Sequence, residues 1–83
     1  MDEKKFVALC KQEVIDYVRL ITGKHIDADD VYVVWLCKTL QNSKALLSTN
    51  IRDGMYYELT YNGDKGELYV DAYEKVNNFT VIV

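Results

Sequence analysis

Apolar side chains recur every three or four positions in the first quarter of the chain. They are Phe6, Leu9, Cys10, Val14, Tyr17, Val18 and Ile21. This spacing gathers them on one side of a helix and predicts an amphipathic α-helix over residues 2–22. Asp2 and Glu3 suit the positive end of the helix dipole. Gly23 followed by Lys24 is typical of a helix end.

The next apolar segment has the composition of a β-strand. Val, Tyr and Trp dominate "VYVVWLCK", residues 31–38. Strict alternation places Val31, Val33, Trp35 and Cys37 on one side and Tyr32, Val34 and Leu36 on the other. Because both sides are apolar, we expect a central or doubly covered strand with Trp35 and Cys37 in the core.

Three further strands are predicted between polar turns. Their sequences are "SKALLST", "MYYELTY" and "ELYVDAY", and the turns between the strands are "TLQN", "NIRDG" and "NGDKG". Asp53-Gly54 is a strong hairpin signal. After Asn77-Asn78, the segment "FTVIV" offers a short fifth strand.

One helix followed by four or five strands predicts an α+β domain over residues 1–83, with the helix packed across one face of an antiparallel meander. Turns of about four or five residues are too short for parallel crossovers, which need a dozen or more. A single helix covers only part of one face of such a sheet. The other face is expected to hold Tyr32, Val34, Leu36, Tyr56, Tyr69 and Tyr73. Such a surface predicts a homo-oligomer. The alternative is a sheet that curls around its helix and leaves the tyrosines in water.

Charge and composition narrow the function classes. The chain has 83 residues, 49% of them hydrophobic, and a net charge of -3. Its cations are scattered singly, without the basic stripe that phosphate backbones require, so direct nucleic-acid binding is not expected. There is no apolar run long enough for a membrane span. Asp2 and Glu3 stand where a signal peptide would be basic, which makes the cytoplasm the expected location.

The chemistry-bearing residues predict no catalytic, metal or cofactor site. Cys10 and Cys37 are expected to be small buried hydrophobes, with a disulfide or a reactive thiol as the alternatives. His25 lies near three aspartates, Asp27, Asp29 and Asp30, but their spacing does not match a calcium loop. We therefore interpret this cluster as a solvated loop.

A group of polar residues around the second strand is the best candidate for a binding site. The candidate residues are Trp35, Lys38, Asn42, Lys44, Tyr56 and Tyr69. One interpretation is structural: Lys38 lays its stem over apolar surface, Asn42 caps a turn, and the group marks a hairpin end. The other is a pocket that holds a phosphate, a nucleotide or an acidic segment of a partner.

The run "VYVVWLCKTLQNSKALLST", followed by "GMYYELTYNGDKGELYVDAYEK", resembles a family of short uncharacterised proteins encoded by phages and prophages of Gram-positive bacteria, a domain of unknown function. The likeness is good from about Asp30 to Lys75 and looser over the amino-terminal helix. Its hallmark is the combination of Trp35, Cys37-Lys38, Asn42 and Lys44-Ala45-Leu46. The resemblance implies a phage or prophage origin and a place in the cytoplasm of the host cell.

These observations lead to three functional hypotheses. The first is a non-enzymatic phage accessory protein that binds and modulates a host protein through the tyrosine-rich face of the sheet. The second is an oligomeric small-molecule binder that sequesters a nucleotide signal with Lys38, Lys44, Arg52 and stacked tyrosines. The third is a minor structural or assembly protein.

Overall fold

Helix α1 spans Glu3–Thr22, and flanking residues cap both of its ends. At the start, Lys5 N donates to Asp2 Oδ1 over 2.8 Å. At the end, Gly23 adopts a left-handed φ of 75° and its N–H donates to the carbonyl oxygen of Arg19. These bonds satisfy backbone groups that every helix leaves unpaired at its ends. In the computed structural model, which describes all 83 residues, the helix thus forms where its apolar period predicts.

Four strands follow α1, joined by short turns. They are β1 Val31–Thr39, β2 Asn42–Thr49, β3 Met55–Asn62 and β4 Glu67–Glu74. Each strand pairs antiparallel with the next, in the order β1-β2-β3-β4. The predicted α+β fold, one helix on an antiparallel meander, is confirmed. The segment Val76–Val83 is not part of any strand, so the optional fifth strand does not form.

The core lies between α1 and the first three strands. Its buried members are Phe6, Cys10, Val14, Val18, Val31, Ala45, Leu47, Tyr57 and Leu59. The helix crosses β1 and β2, and the Tyr17 ring packs edge-on against Tyr57 with centroids 5.6 Å apart. The helix side of β4 is less covered, since Val70 keeps 38% of its surface exposed.

A bulge in β1 changes the direction of its side chains. Val33 pairs with Leu47 and Trp35 pairs with Leu46, which leaves Val34 as an extra residue between them. Because side chains alternate along a strand, one extra residue reverses the alternation beyond it.

The reversal overturns part of the sequence analysis. Leu36, expected on the face away from the helix, packs against the core. Trp35 and Cys37, expected in the core, are exposed on the opposite side of the sheet. That core prediction is therefore wrong, because alternation across the bulge was assumed to be unbroken.

The β1–β2 turn and the β3–β4 turn lie against each other at the same end of the sheet, and we call them the distal hairpins. Leu40 lies at the tip of the first hairpin with a φ of 55° and is 89% exposed. A residue with this left-handed backbone conformation is strained unless it is Gly, Asn or Asp. In the second turn, a Cβ added to Gly63 would overlap the carbonyl oxygen of Gln41. Only glycine permits this close approach of the two hairpins.

Candidate binding surface

The sheet has one side that no other element covers, and we call this side the open face. Cross-strand partners point to the same side of a sheet, so the strand register defines its members. They are Tyr32, Trp35, Cys37 and Thr39 of β1, Asn42, Lys44, Leu46 and Ser48 of β2, Tyr56, Glu58, Thr60 and Asn62 of β3, and Glu67, Tyr69, Asp71 and Tyr73 of β4.

Exposed aromatic rings characterise the open face. Tyr32, Trp35, Tyr69 and Tyr73 keep between 40% and 51% of their surface exposed. Val34, at the bulge beside them, is 45% exposed. The aromatic surface expected from the sequence is thus present, with Trp35 in place of Leu36.

A shallow depression lies across the first three strands of this face. Its volume is about 570 Å³. It is lined by Trp35, Cys37 and Thr39 of β1, Asn42, Ser43 and Lys44 of β2, and Glu58 and Thr60 of β3. The size falls within the range of about 300–1,000 Å³ typical of small-molecule pockets, although pockets of that kind are usually deeper and more apolar.

The open face carries a net negative charge. Lys44 Nζ lies 3.5 Å from Glu58 Oε1, so the ammonium is paired within the depression. Both groups are partly solvated, and such a pair contributes about 0–1 kcal/mol to stability. Asp71 is the cross-strand partner of Glu58, and Glu67 lies farther along β4. The open face thus carries three carboxylates and one ammonium, of which Glu58 and Lys44 are paired.

A tyrosine on β4 forms a hydrogen bond with one of these carboxylates. The Tyr69 hydroxyl donates to Glu67 Oε2 over 2.8 Å. This hydrogen bond to the carboxylate raises the pKa of Tyr69 above its ordinary value. The phenol stays a donor, and its ring is held in place on the open face.

The structure brings together some of the predicted site residues and separates others. Trp35, Asn42 and Lys44 line the depression. Tyr69 is the cross-strand partner of Thr60 at the edge of the depression, and Tyr56 lies two positions away from Glu58 on the same side of β3.

Lys38 is not part of the depression. It pairs with buried Ser43, on the helix side of the sheet. Its Nζ donates to the carbonyl oxygen of Met1 over 3.4 Å. A pocket that contains all six predicted residues therefore does not exist. Trp35 and Lys38 are three positions apart in a regular stretch of strand and lie on opposite sides, and the bulge decides that Trp35 is the one on the open face.

Comparison with known protein families places the chain. The model of DUF6275, a family of unknown function, matches residues 7–83. The chain belongs to the DUF6275 family. This agrees with the expected membership of an uncharacterised domain, and the family description assigns no activity. No curated protein and no solved structure matches the sequence.

Asn42 has a structural contact in this DUF6275 chain. Its Oδ1 accepts a hydrogen bond from Gly63 N over 3.4 Å. The side chain thus caps the β3–β4 turn, whereas the sequence alone did not show which turn it would serve. Asn42 therefore supports the hairpin end and borders the depression at the same time.

The two cysteines of the DUF6275 chain lie on opposite sides of the sheet, and both are free. Cys10 is fully buried, as expected, and burial raises the pKa of its thiol to about 12, with a further contribution from Glu13. Cys37 is exposed on the open face. A disulfide between them does not form.

Other acidic residues have local roles. Asp27 Oδ1 accepts from Asp29 N, and Asp30 Oδ2 accepts from Asp27 N, which caps the 3-10 turn Ala28–Asp30. His25 is exposed in the preceding loop. No group of three or more side chains is placed to hold a metal ion. None of the helices is long and apolar enough to cross a bilayer.

Sequence reasoning missed five residues of the depression, which are Cys37, Thr39, Ser43, Glu58 and Thr60. Alternation in β3 placed Glu58 and Thr60 on the same side as Tyr56. Their proximity to Lys44 depends on the β2–β3 register, which pairs Lys44 with Thr60 and Leu46 with Glu58. The opposite charges of Lys44 and Glu58 are the only signal in the sequence that could have suggested this register.

Proposed function

We propose that this protein is a non-enzymatic accessory protein of a phage or prophage, located in the host cytoplasm, that binds a host protein through the open face. The observation that carries the proposal is the set of half-exposed aromatic rings that share the open face with Glu58, Glu67 and Asp71. Trp and Tyr are enriched where binding energy is concentrated, and an exposed apolar patch rimmed by polar groups marks an interaction surface.

Charge gives the chemistry of the partner. Glu58, Glu67 and Asp71 outnumber Lys44 on the open face. A basic protein surface complements this arrangement and would be attracted to it at low ionic strength. We therefore propose a host protein with a positively charged site, such as the nucleic-acid site of an enzyme, as the partner that the open face covers.

Affinity capture with matched variants tests this proposal. Tagged wild-type protein, Trp35→Ala and Tyr73→Ala are incubated with lysate of a Gram-positive host. The control is Leu40→Asn, which removes an exposed apolar side chain at the tip of the β1–β2 hairpin, outside the open face. A host protein that wild type and control retain, and that both open-face variants lose, supports the proposal. The purified partner should then bind at least about tenfold more weakly to Trp35→Ala, with an affinity that falls as salt is added.

Failure would be equally clear. If no host protein is retained in a way that depends on Trp35 or Tyr73, the proposal is contradicted. Recovery of a phage structural protein from a lysate of infected cells would favour a role in virion assembly, the third hypothesis.

The depression gives some support to a second candidate, a small-molecule binder. Trp35 offers a ring for stacking, and Asn42 and Lys44 offer polar contacts. Against a nucleotide, Lys44 is already paired with Glu58, and Lys38 lies on the other side of the sheet. Thermal unfolding across a nucleotide panel separates the candidates, since a true ligand at a hundredfold over its Kd stabilises the fold by about 2.7 kcal/mol.

A further inference from the structure

The last segment of the sequence, Val76–Val83, is apolar and has no partner within the molecule. We call it the arm. Five of its residues are large hydrophobics, with exposures from 68% at Val81 to 117% at Val83. Its one hydrogen bond is local, from Asn78 N to Asn77 Oδ1. A segment rich in Val, Ile and Phe with unpaired backbone groups favours pairing with a strand.

The sheet offers two free edges, and they differ in regularity. The edge at β1 contains the bulge at Val34, and a bulge interrupts the ladder that an added strand needs. The edge at β4 is regular: all eight residues pair with β3 without a register shift. The β4 edge can therefore accept an added strand along its whole length.

An apolar groove lies beside the β4 edge. It is formed where α1 leaves β4 uncovered. Tyr17, Leu20 and Val70 contribute its apolar lining, and Glu13 and Asp16 complete it. Leu20 is 81% exposed and Val70 is 38% exposed. A strand added along β4 would place apolar side chains next to Val70 and below Leu20, where they would cover this surface.

The arm of a second copy is better placed than the arm of the same chain to pair with the β4 edge. To reach its own β4, the arm must reverse near Asn77-Asn78, and the structure shows no such reversal, since the arm forms no strand and no backbone hydrogen bond to β4. The arm of a second copy reaches the same edge without a turn. Direct pairing of two β4 edges would instead bring Asp71 close to Asp71 of the other copy, and like charges at such positions are destabilising. The arm has no charged side chain.

We infer that two copies of this chain exchange their arms, each arm adding an antiparallel strand to the β4 edge of the other copy and packing against its α1–β4 groove. The contact is reciprocal, as two-fold symmetry requires. Alternation places Phe79, Val81 and Val83 on one side of each arm and Val76 and Ile82 on the other, so about half of these apolar side chains face the grooves and the rest lie beside the tyrosines of β4. Together with the covered edges and grooves they account for on the order of 1,000 Å² of buried surface, near the lower limit of the range of about 1,200–2,000 Å² that stable interfaces bury.

The exchange leaves the open faces free. Two-fold pairing of antiparallel strands has its axis perpendicular to the sheet, so both open faces would lie on the same side of the dimer. The dimer would therefore present two open faces for binding on one side. This consequence rests on the proposed function, whereas the inference of a dimer does not.

The test is the oligomeric state of the full chain by analytical ultracentrifugation over a wide concentration range. A reductant is included because Cys37 is exposed. Wild type should form a dimer, and Phe79→Asp and Ile82→Asp should each weaken it at least tenfold, since a charge on the arm cannot enter an apolar contact without a cost of 1.4 kcal/mol or more. Leu40→Asn, an equally exposed apolar position away from the arm, should remain dimeric.

A mixing experiment identifies the exchanged surfaces. Leu20→Asp damages the groove and keeps the arm, whereas Phe79→Asp damages the arm and keeps the groove. Each variant alone should be mainly monomeric, and their mixture should form a heterodimer through one intact exchange. All of these positions are largely exposed, so circular dichroism should show an unchanged fold.

Three results would overturn the inference. The first is wild-type protein that is monomeric at every concentration. The second is a dimer with the same Kd in Phe79→Asp and Ile82→Asp as in wild type. The third is a dimer that Trp35→Ala dissociates while the arm variants do not, because that result would place the contact on the open face.

Discussion

The helix side and the open face of the sheet are built from the same four strands, yet their side chains have opposite environments. On the helix side, Ala45, Leu47 and Leu59 are completely buried. On the open face, Trp35 and Tyr73 are 40% and 51% exposed. The largest rings thus face water while smaller groups form most of the core. A chain of 83 residues with one helix can cover only one side of its sheet, so stability comes from one face and the other is left for contacts.

The strongest test of this difference uses two adjacent leucines of β2. Leu47 is buried under the helix, and Leu46 is half-buried on the open face. Leu47→Ala should destabilise the protein by about 2–5 kcal/mol, because it removes buried methyl groups and leaves a cavity. Leu46→Ala should cost less than about 1.5 kcal/mol. Urea unfolding measures both values, and equal losses would contradict the assignment of the two faces.

The two cysteines, one buried and one exposed, extend the comparison to the pH dependence of stability. Burial raises the pKa of Cys10 from 9.0 to about 12, so the folded state keeps its thiol proton longer than the unfolded state does. The stability linked to this proton is complete below pH 9 and should be lost between pH 9 and about pH 12. The slope approaches about 1.4 kcal/mol per pH unit.

Cys10→Ala and Cys37→Ala provide matched variants for this measurement. Cys10→Ala should lower stability at neutral pH but weaken its dependence on alkaline pH. Cys37→Ala changes an exposed residue on the open face and should keep the wild-type slope. Denaturant unfolding at a series of pH values checks this, and identical slopes in all three proteins would show that the Cys10 thiol is not protected.

A smaller effect is expected where the distal hairpins meet. Gly63→Ala places a Cβ against the Gln41 carbonyl oxygen, and the backbone must shift to relieve the overlap. Overpacking of this kind costs about 1–3 kcal/mol. Asp64→Ala, at the next and exposed position, should change stability by less than about 0.5 kcal/mol. If thermal unfolding shows no difference between them, the two hairpins do not approach as closely as described.

The smallest effect should come from the hairpin tip, which belongs to neither face. Leu40→Asn should stabilise the protein by up to about 1 kcal/mol, since asparagine tolerates the left-handed backbone that strains leucine. Leu40→Ala keeps a Cβ without the polar side chain and should give no such gain. Chemical denaturation of the pair separates backbone strain from exposure of the apolar side chain, and an equal gain in both would assign the effect to exposure.

Most of the fold could be predicted because its signals are local. The period of three and four gave α1, and Asp53-Gly54 and "NGDKG" fixed two turns. The side on which Trp35 and Cys37 lie could not be predicted, because β1 is apolar on both sides and the alternation of its side chains does not reveal the extra residue. Pairing of Lys44 with Glu58 could not be deduced either, since it depends on a register between strands rather than on spacing within one.

The bulge at Val34 lets the outer half of β1 accept a change in chain length without a change in which side each side chain occupies. Loss of that one codon would remove the extra residue, so Val33 and Trp35 would become neighbours in a regular ladder opposite Leu47 and Leu46, and Trp35 and Cys37 would stay on the open face. If the strand instead kept Val34 and lost the bulge, Leu36 and Lys38 would exchange sides with Trp35 and Cys37, which would bury the indole and bring a second cation to the open face. A relative one residue shorter at this point would therefore present the same chemistry to its surroundings.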